Sequence, residues 1–263
     1  MSAIMKNMFQ WVLILILFSF QSHNFGFRVL HNAAFGVGES IEFKVHYGFV
    51  TAGYGSARVL PYIEMIKGRA VYHVIGRGKS ASGFDWFFKV RDEFHSYIDV
   101  EAIAPLKYTK DQQEGDYNKK DIAIFDHEKK IIETPKGNLA MEEYTQDLLS
   151  MMYYARCLDF KNAPVGQSFP ISFYLDDEIT SISFLVVARE IISTELGKFR
   201  AIKIHPQVVA DRVFKDKDAV TLWVTDDNNL LPLRIQADLV VGSIKADITK
   251  VSNLKNTMEA AIK

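Results

Sequence analysis

The chain has one cysteine, Cys157, in 263 residues, so no intramolecular disulfide can form. A chain of this length can stand on a hydrophobic core alone. Charge of one sign is also lacking: 31 Lys and Arg face 32 Asp and Glu, and no basic run is interleaved with aromatics. Without that electrostatic footprint, nucleic acid is excluded as an expected partner. The seven histidines (His23, His31, His46, His73, His95, His127 and His205) show no HExxH or other short ligand spacing, so no metal site is expected. There is no Gly-x-Ser-x-Gly elbow, and the glycines at Gly76, Gly78 and Gly83 are not followed by a phosphate-loop lysine and helix. No catalytic residue and no cofactor are assigned. Cys157 reads as a small apolar residue on a helix face.

What is present begins with an apolar run from Trp11 to Phe20, preceded by Lys6 and followed by polar Gln21 to Asn24. The run has the length of a signal-peptide core and is short for a membrane span. It is read as a signal peptide over about residues 1–24, with an uncleaved anchor helix as the alternative. No cysteine follows it, which excludes lipidation there. The expectation is an exported protein, periplasmic or secreted.

The remainder repeats itself. Phe88-Lys89-Val90-Arg91-Asp92 answers Phe214-Lys215-Asp216-Lys217-Asp218; Asp99 and Pro105-Leu106 answer Asp226 and Pro232-Leu233; Gly38-Glu39-Ser40 answers Gly166-Gln167-Ser168. The offset stays between 126 and 128 residues, which suggests two equivalent halves, about 38–126 and 166–250, within one β-rich domain spanning 36–263. Alternation such as Ile41, Phe43, Val45 and Tyr47 is that of half-buried strands. The expected fold is mainly β, with antiparallel curved sheets forming a sandwich or a partly closed barrel, each half supplying one sheet. The tail from Ser252 reads as weakly helical or frayed. Between the halves, residues 145–158 lack Gly and Pro and place Leu148, Met151, Met152 and Ala155 on one stripe, predicting a connecting helix. Thr145 is the candidate N-cap, with Asp147 at the positive end of the dipole.

Three features could carry function. His46, His73 and His95 lie on separate strands and could converge. Asp226-Asp227-Asn228-Asn229 offers oxygen ligands but reads as a turn. Ser80 to Phe88 is an aromatic-rich loop whose Trp86 and Phe87 either tuck into the core or form a hydrophobic lid.

Several stretches together resemble an exported bacterial family, domain-of-unknown-function family 3108. They are Gly38-Glu39 with Tyr47-Gly48 and Ala52-Gly53; Val90-Arg91-Asp92 with Ile98-Asp99; Gln146 to Ser150 with Tyr153 to Arg156; Gly197-Lys198-Phe199; and Trp223 to Asp227 with Pro232. The resemblance implies export and a mostly β architecture, and it supplies no activity. Asp147, Ser150, Tyr153 and Arg156 form its most family-like segment; structurally, Asp147 would cap, Arg156 pair and Tyr154 pack. The expected function is a non-enzymatic binding or carrier module for an apolar or envelope-derived small molecule, with Trp86, Phe87 and Tyr154 as wall residues. The alternatives are an assembly factor docking an envelope protein partner, or an envelope-polymer hydrolase using Asp92, Asp218 or the histidines.

Overall fold

The computed structural model describes residues 26–208, 219–239 and 242–262. The signal-like segment and Phe214 to Asp218 lie outside them. Among the described residues the strands are β1 (Ser40–Tyr47), β2 (Val50–Ile66), β3 (Arg69–Ser80), β4 (Arg91–Asp99), β5 (Pro105–Glu114), β6 (Tyr117–Asp126), β7 (Ile131–Thr134), β8 (Gly137–Ala140), β9 (Ser168–Leu175), β10 (Glu178–Thr194), β11 (Gly197–Val208), β12 (Val220–Thr225), β13 (Pro232–Asp238), β14 (Ser243–Ser252) and β15 (Ala261–Ile262). One helix, α1 (Leu148–Ala155), separates β8 from β9, and no helix among the described residues is long and apolar enough to cross a membrane.

The strands form one antiparallel sheet in the order β8-β7-β6-β5-β4-β3-β2-β1-β14-β13-β12-β11-β10-β9, with β15 added to β11. This corrects the expectation that each half supplies its own sheet. All eight residues of β1 pair with β14, so the halves share one hydrogen-bonded ladder. β1, β2 and β3 are 8, 17 and 12 residues long, and so are β9, β10 and β11. Both 17-residue strands carry a register shift, between Val59 and Ile63 in β2 and between Val186 and Ala188 in β10. Pro61 sits inside the first, where its missing N–H breaks no ladder bond. Such irregularities bend a strand, and a sheet this wide must curl.

The curl stops short of closure. Its edges are β8 and β9, and β9 is capped by Gln146, whose N–H donates to the Ser172 carbonyl at 2.9 Å and whose carbonyl accepts from Tyr174 N–H at 2.7 Å. Side chains complete the seam. Asp176 and Asp177, both at positive φ in the β9–β10 turn, face Lys110 and Lys119, and Lys136 respectively. Behind them Tyr174 packs edge-on against Phe125 at 6.1 Å in a cluster with Tyr108 and Ile132.

Two local expectations are corrected. The helix runs over Leu148–Ala155 rather than 145–158, and its N-cap is Asp147 rather than Thr145. Thr145 Oγ1 is spent on the Glu142 carbonyl at 2.9 Å, and Gln146 is held extended on β9, so the backbone is free to turn only after them. The tail is not frayed. Asn229 Nδ2 donates to the carbonyls of Asn256 and Thr257, Ala260 N–H donates to Asp227 Oδ2, and Ala261 and Phe199 then pair.

Candidate functional site

Helix α1 lies inside the curl and is anchored at both ends. Asp147 accepts from the N–H groups of Leu149 and Ser150, each at 2.8 Å, while Ser150 Oγ accepts from Asp147 N–H, which makes a capping box. Ser96 Oγ of β4 donates to Asp147 Oδ2 at 2.5 Å, tying the cap to the sheet. The site is fully buried, and desolvation pushes the Asp147 carboxyl up to about 6, partly opposed by the Ser96 and backbone donors. At the other end Arg156 donates to both oxygens of Glu39 at 2.5 and 2.9 Å, to the Asn229 carbonyl at 3.0 Å and to the Ala34 carbonyl at 3.2 Å.

The two sides of the helix meet different surroundings. Leu149 and Tyr153 fill a solid cluster of the first half with Phe35, Val59, Val74 and Ile98. Contact there is close enough that a Cβ on Gly76 of β3 would lie 2.7 Å from Leu149 Cδ2. Toward the second half, Met151 and Ala155 join a cluster with Phe160, Ile182, Phe184 and Val224, and beside it the stripe of Leu148, Met151, Met152 and Ala155 lines a cavity of about 410 Å³. Ile182 and Phe184 of β10, Pro206 of β11, Val220, Leu222 and Val224 of β12, and Pro232 and Ile235 of β13 close its far side. Among the described residues Arg156 is the one charged residue in the lining, and its guanidinium is already shared among Glu39 and two carbonyls. The space offers apolar surface and methionine side chains, which adapt to irregular shapes.

The sequence-selected residues fall in several places. Asp147, Ser150, Tyr153 and Arg156 are all buried and hold α1 in position. Tyr154 packs between the two core clusters, under the Arg28 guanidinium at 4.7 Å, and is not among the lining residues. Trp86 and Phe87 are 85% and 71% exposed on the β3–β4 loop, far from a core position, and likewise do not line the cavity.

Of the three histidines, the sheet joins two. His73 Nε2 meets His95 Nδ1 at 2.8 Å, and their outer nitrogens meet Glu64 and Glu93, each also at 2.8 Å. His46 is on β1, paired with Thr51 and Lys245. The Asp226–Asn229 segment is a turn: Asp227 Oδ1 accepts from Thr225 Oγ1 at 2.7 Å and Asn229 N–H at 3.0 Å. Asp99 does the same in the first half, accepting from Glu101 and Ala102 N–H at 3.0 and 2.8 Å. Asp92 accepts from Gln113 N–H, and Asp218 lies outside the described residues. Burial pushes the Cys157 thiol up to about 12, far from the range of a nucleophile.

A curled antiparallel sheet wrapped around one buried helix thus defines the class. A model of the family described as protein of unknown function, DUF3108, matches residues 42–249, and the chain belongs to that family. No curated protein matches it. Among solved structures, a β-barrel-like protein of the domain of unknown function DUF1849 from Brucella abortus shares the fold, at 9% identity and a TM-score of 0.52, covering 82% of this chain and 97% of that one. A Bacteroides fragilis protein assigned a YmcC-like fold aligns at 8% identity and a TM-score of 0.39, over 86% of this chain and 100% of that one.

Proposed function

We propose that the protein is an exported, non-enzymatic binding or carrier module whose ligand is an apolar small molecule from the cell envelope. The carrying observation is the cavity of about 410 Å³ between α1 and strands β10–β13. Its volume falls in the range of small-molecule sites, and among the described residues its lining is apolar apart from the already engaged Arg156. The signal-like run of residues 11–20 supports export to the compartment where acyl chains and other envelope lipids are handled.

Native mass spectrometry with solvent extraction, on protein recovered from the periplasm, tests this reading. A stoichiometric apolar adduct is expected. It should be lost in Ala155→Phe, which fills the cavity from the helix side, along with binding of the fluorescent probe N-phenyl-1-naphthylamine. An apo mass together with unchanged probe binding in Ala155→Phe would overturn the proposal.

A further inference from the structure

The end of the sheet where β1 turns into β2 and β3 leads into β4 carries large apolar side chains in water. Phe49 is fully exposed, Trp86 is 85%, Phe87 71% and Val50 55% exposed. The two loops are neighbours: Ala81 N–H donates to the Ala52 carbonyl at 2.9 Å, and Gly53 pairs with Ser80. The exposure is built in. Phe87 N–H donates to the Phe84 carbonyl at 3.0 Å, Arg91 Nη2 holds Asp85 at 2.6 Å, and Phe88 folds back over Gly115, so the loop is braced with Trp86 and Phe87 outermost.

We infer that this end docks on a lipid bilayer. These side chains stand on the β1–β2 turn and the β3–β4 loop, largely open to water and away from the lining of the cavity beside α1, which suits a fluid surface able to close around them. Lys79 and Lys89, both exposed, flank the aromatics in the chain, and the pairing of Trp and Phe with lysine is that of interfacial anchors. The sheet register then links this end to the cavity. Val220, Ala237, Ile244, Tyr47 and Val50 form one row across β12, β13, β14, β1 and β2. Val220 lines the cavity; Ile244 and Tyr47 are each 40% exposed. An apolar track therefore runs from the cavity to the docking tips. Membrane contact stands independently of the proposed ligand, since vesicle binding and probe binding are read separately.

The test uses the Trp11→Phe chain recovered from the periplasm, so that Trp86 reports from the surface while Trp223 stays buried. It is titrated with phosphatidylethanolamine–phosphatidylglycerol vesicles carrying brominated acyl chains. Trp86 fluorescence is expected to shift to the blue and be quenched. In Phe49→Ser/Phe87→Ser the vesicle concentration for half-quenching should rise at least tenfold, with the melting temperature held. Absence of quenching, or equal quenching in the variant, would overturn the inference. So would a concentration-dependent dimer that the same substitutions abolish, which would assign these tips to a second copy of the chain.

Discussion

Arg156 at the end of α1 and Glu39 ahead of β1, 117 residues apart in sequence, form a two-pronged ion pair almost wholly removed from water. Charges in such a place are costly alone and tolerable together. Arg156→Met should cost about 3–5 kcal/mol, because it strands the Glu39 carboxylate. The double variant Glu39→Leu/Arg156→Met should recover most of that loss. Urea unfolding of the singles and the double measures it, and additive losses would contradict the coupling.

Asp147 makes stability depend on pH in an unusual direction. Its folded carboxyl holds a proton to about pH 6, whereas the unfolded chain releases it near the ordinary value of 3.8. The folded state therefore binds more protons between these values. The stabilising contribution is complete below the unfolded value and is lost as pH rises through about 6. At roughly 1.4 kcal/mol per unit, about 3 kcal/mol is at stake. Asp147→Asn keeps an N-cap acceptor and removes the titration. The difference in unfolding free energy between wild type and variant should change across pH 4 to 7, moving in the variant's favour as pH rises. A constant difference would refute this.

The close seat of α1 on β3 predicts a penalty for one methyl group. Gly76→Ala places a Cβ 2.7 Å from Leu149 Cδ2, so the packed Leu149 side chain must turn aside or α1 must move off β3. The expected cost is about 1–3 kcal/mol. Leu149→Ala in the same chain should relieve the clash, leaving a double-variant loss smaller than the sum of the two singles in thermal unfolding.

The seam rests on charge. Lys110 is buried, and Asp176, half exposed in its left-handed turn, neutralises it. Asp176→Asn keeps a residue that tolerates positive φ and deletes the charge. A loss of about 1–3 kcal/mol is expected. Amide exchange should speed up in β9 and β5 before it does in β1 and β14, where the ladder is continuous.

The sequence made part of this arrangement legible. Alternation located most strands, and the stripe Leu148, Met151, Met152 and Ala155 is the surface that faces the cavity. The opposite wall was hidden, because Pro206, Val220 and Ile235 come together only through the registers of three strands. The helix start was misplaced because Gln146 is captured by β9, a partner more than twenty residues downstream. The ordered tail depends on Asp227 and Asn229, whose side-chain bonds no local pattern reveals. His73 and His95 could be placed on separate strands, but their contact depends on the pairing of His73 with Tyr97 and of Ile75 with His95.

The junction of β1 with β14 also bears on how the chain is made. Ser40 pairs with Ser252 and Tyr47 with Ile244, so the first strand to leave the ribosome waits for almost the last. Until then β1 has β2 on one side and an open row of N–H and C=O groups on the other, a template for pairing with another chain. Pairings this distant form slowly, and the waiting intermediate is prone to aggregate. The free edge of β1 is therefore the place where a partly folded chain would join another, and its pairing with β14 is the step that removes that risk.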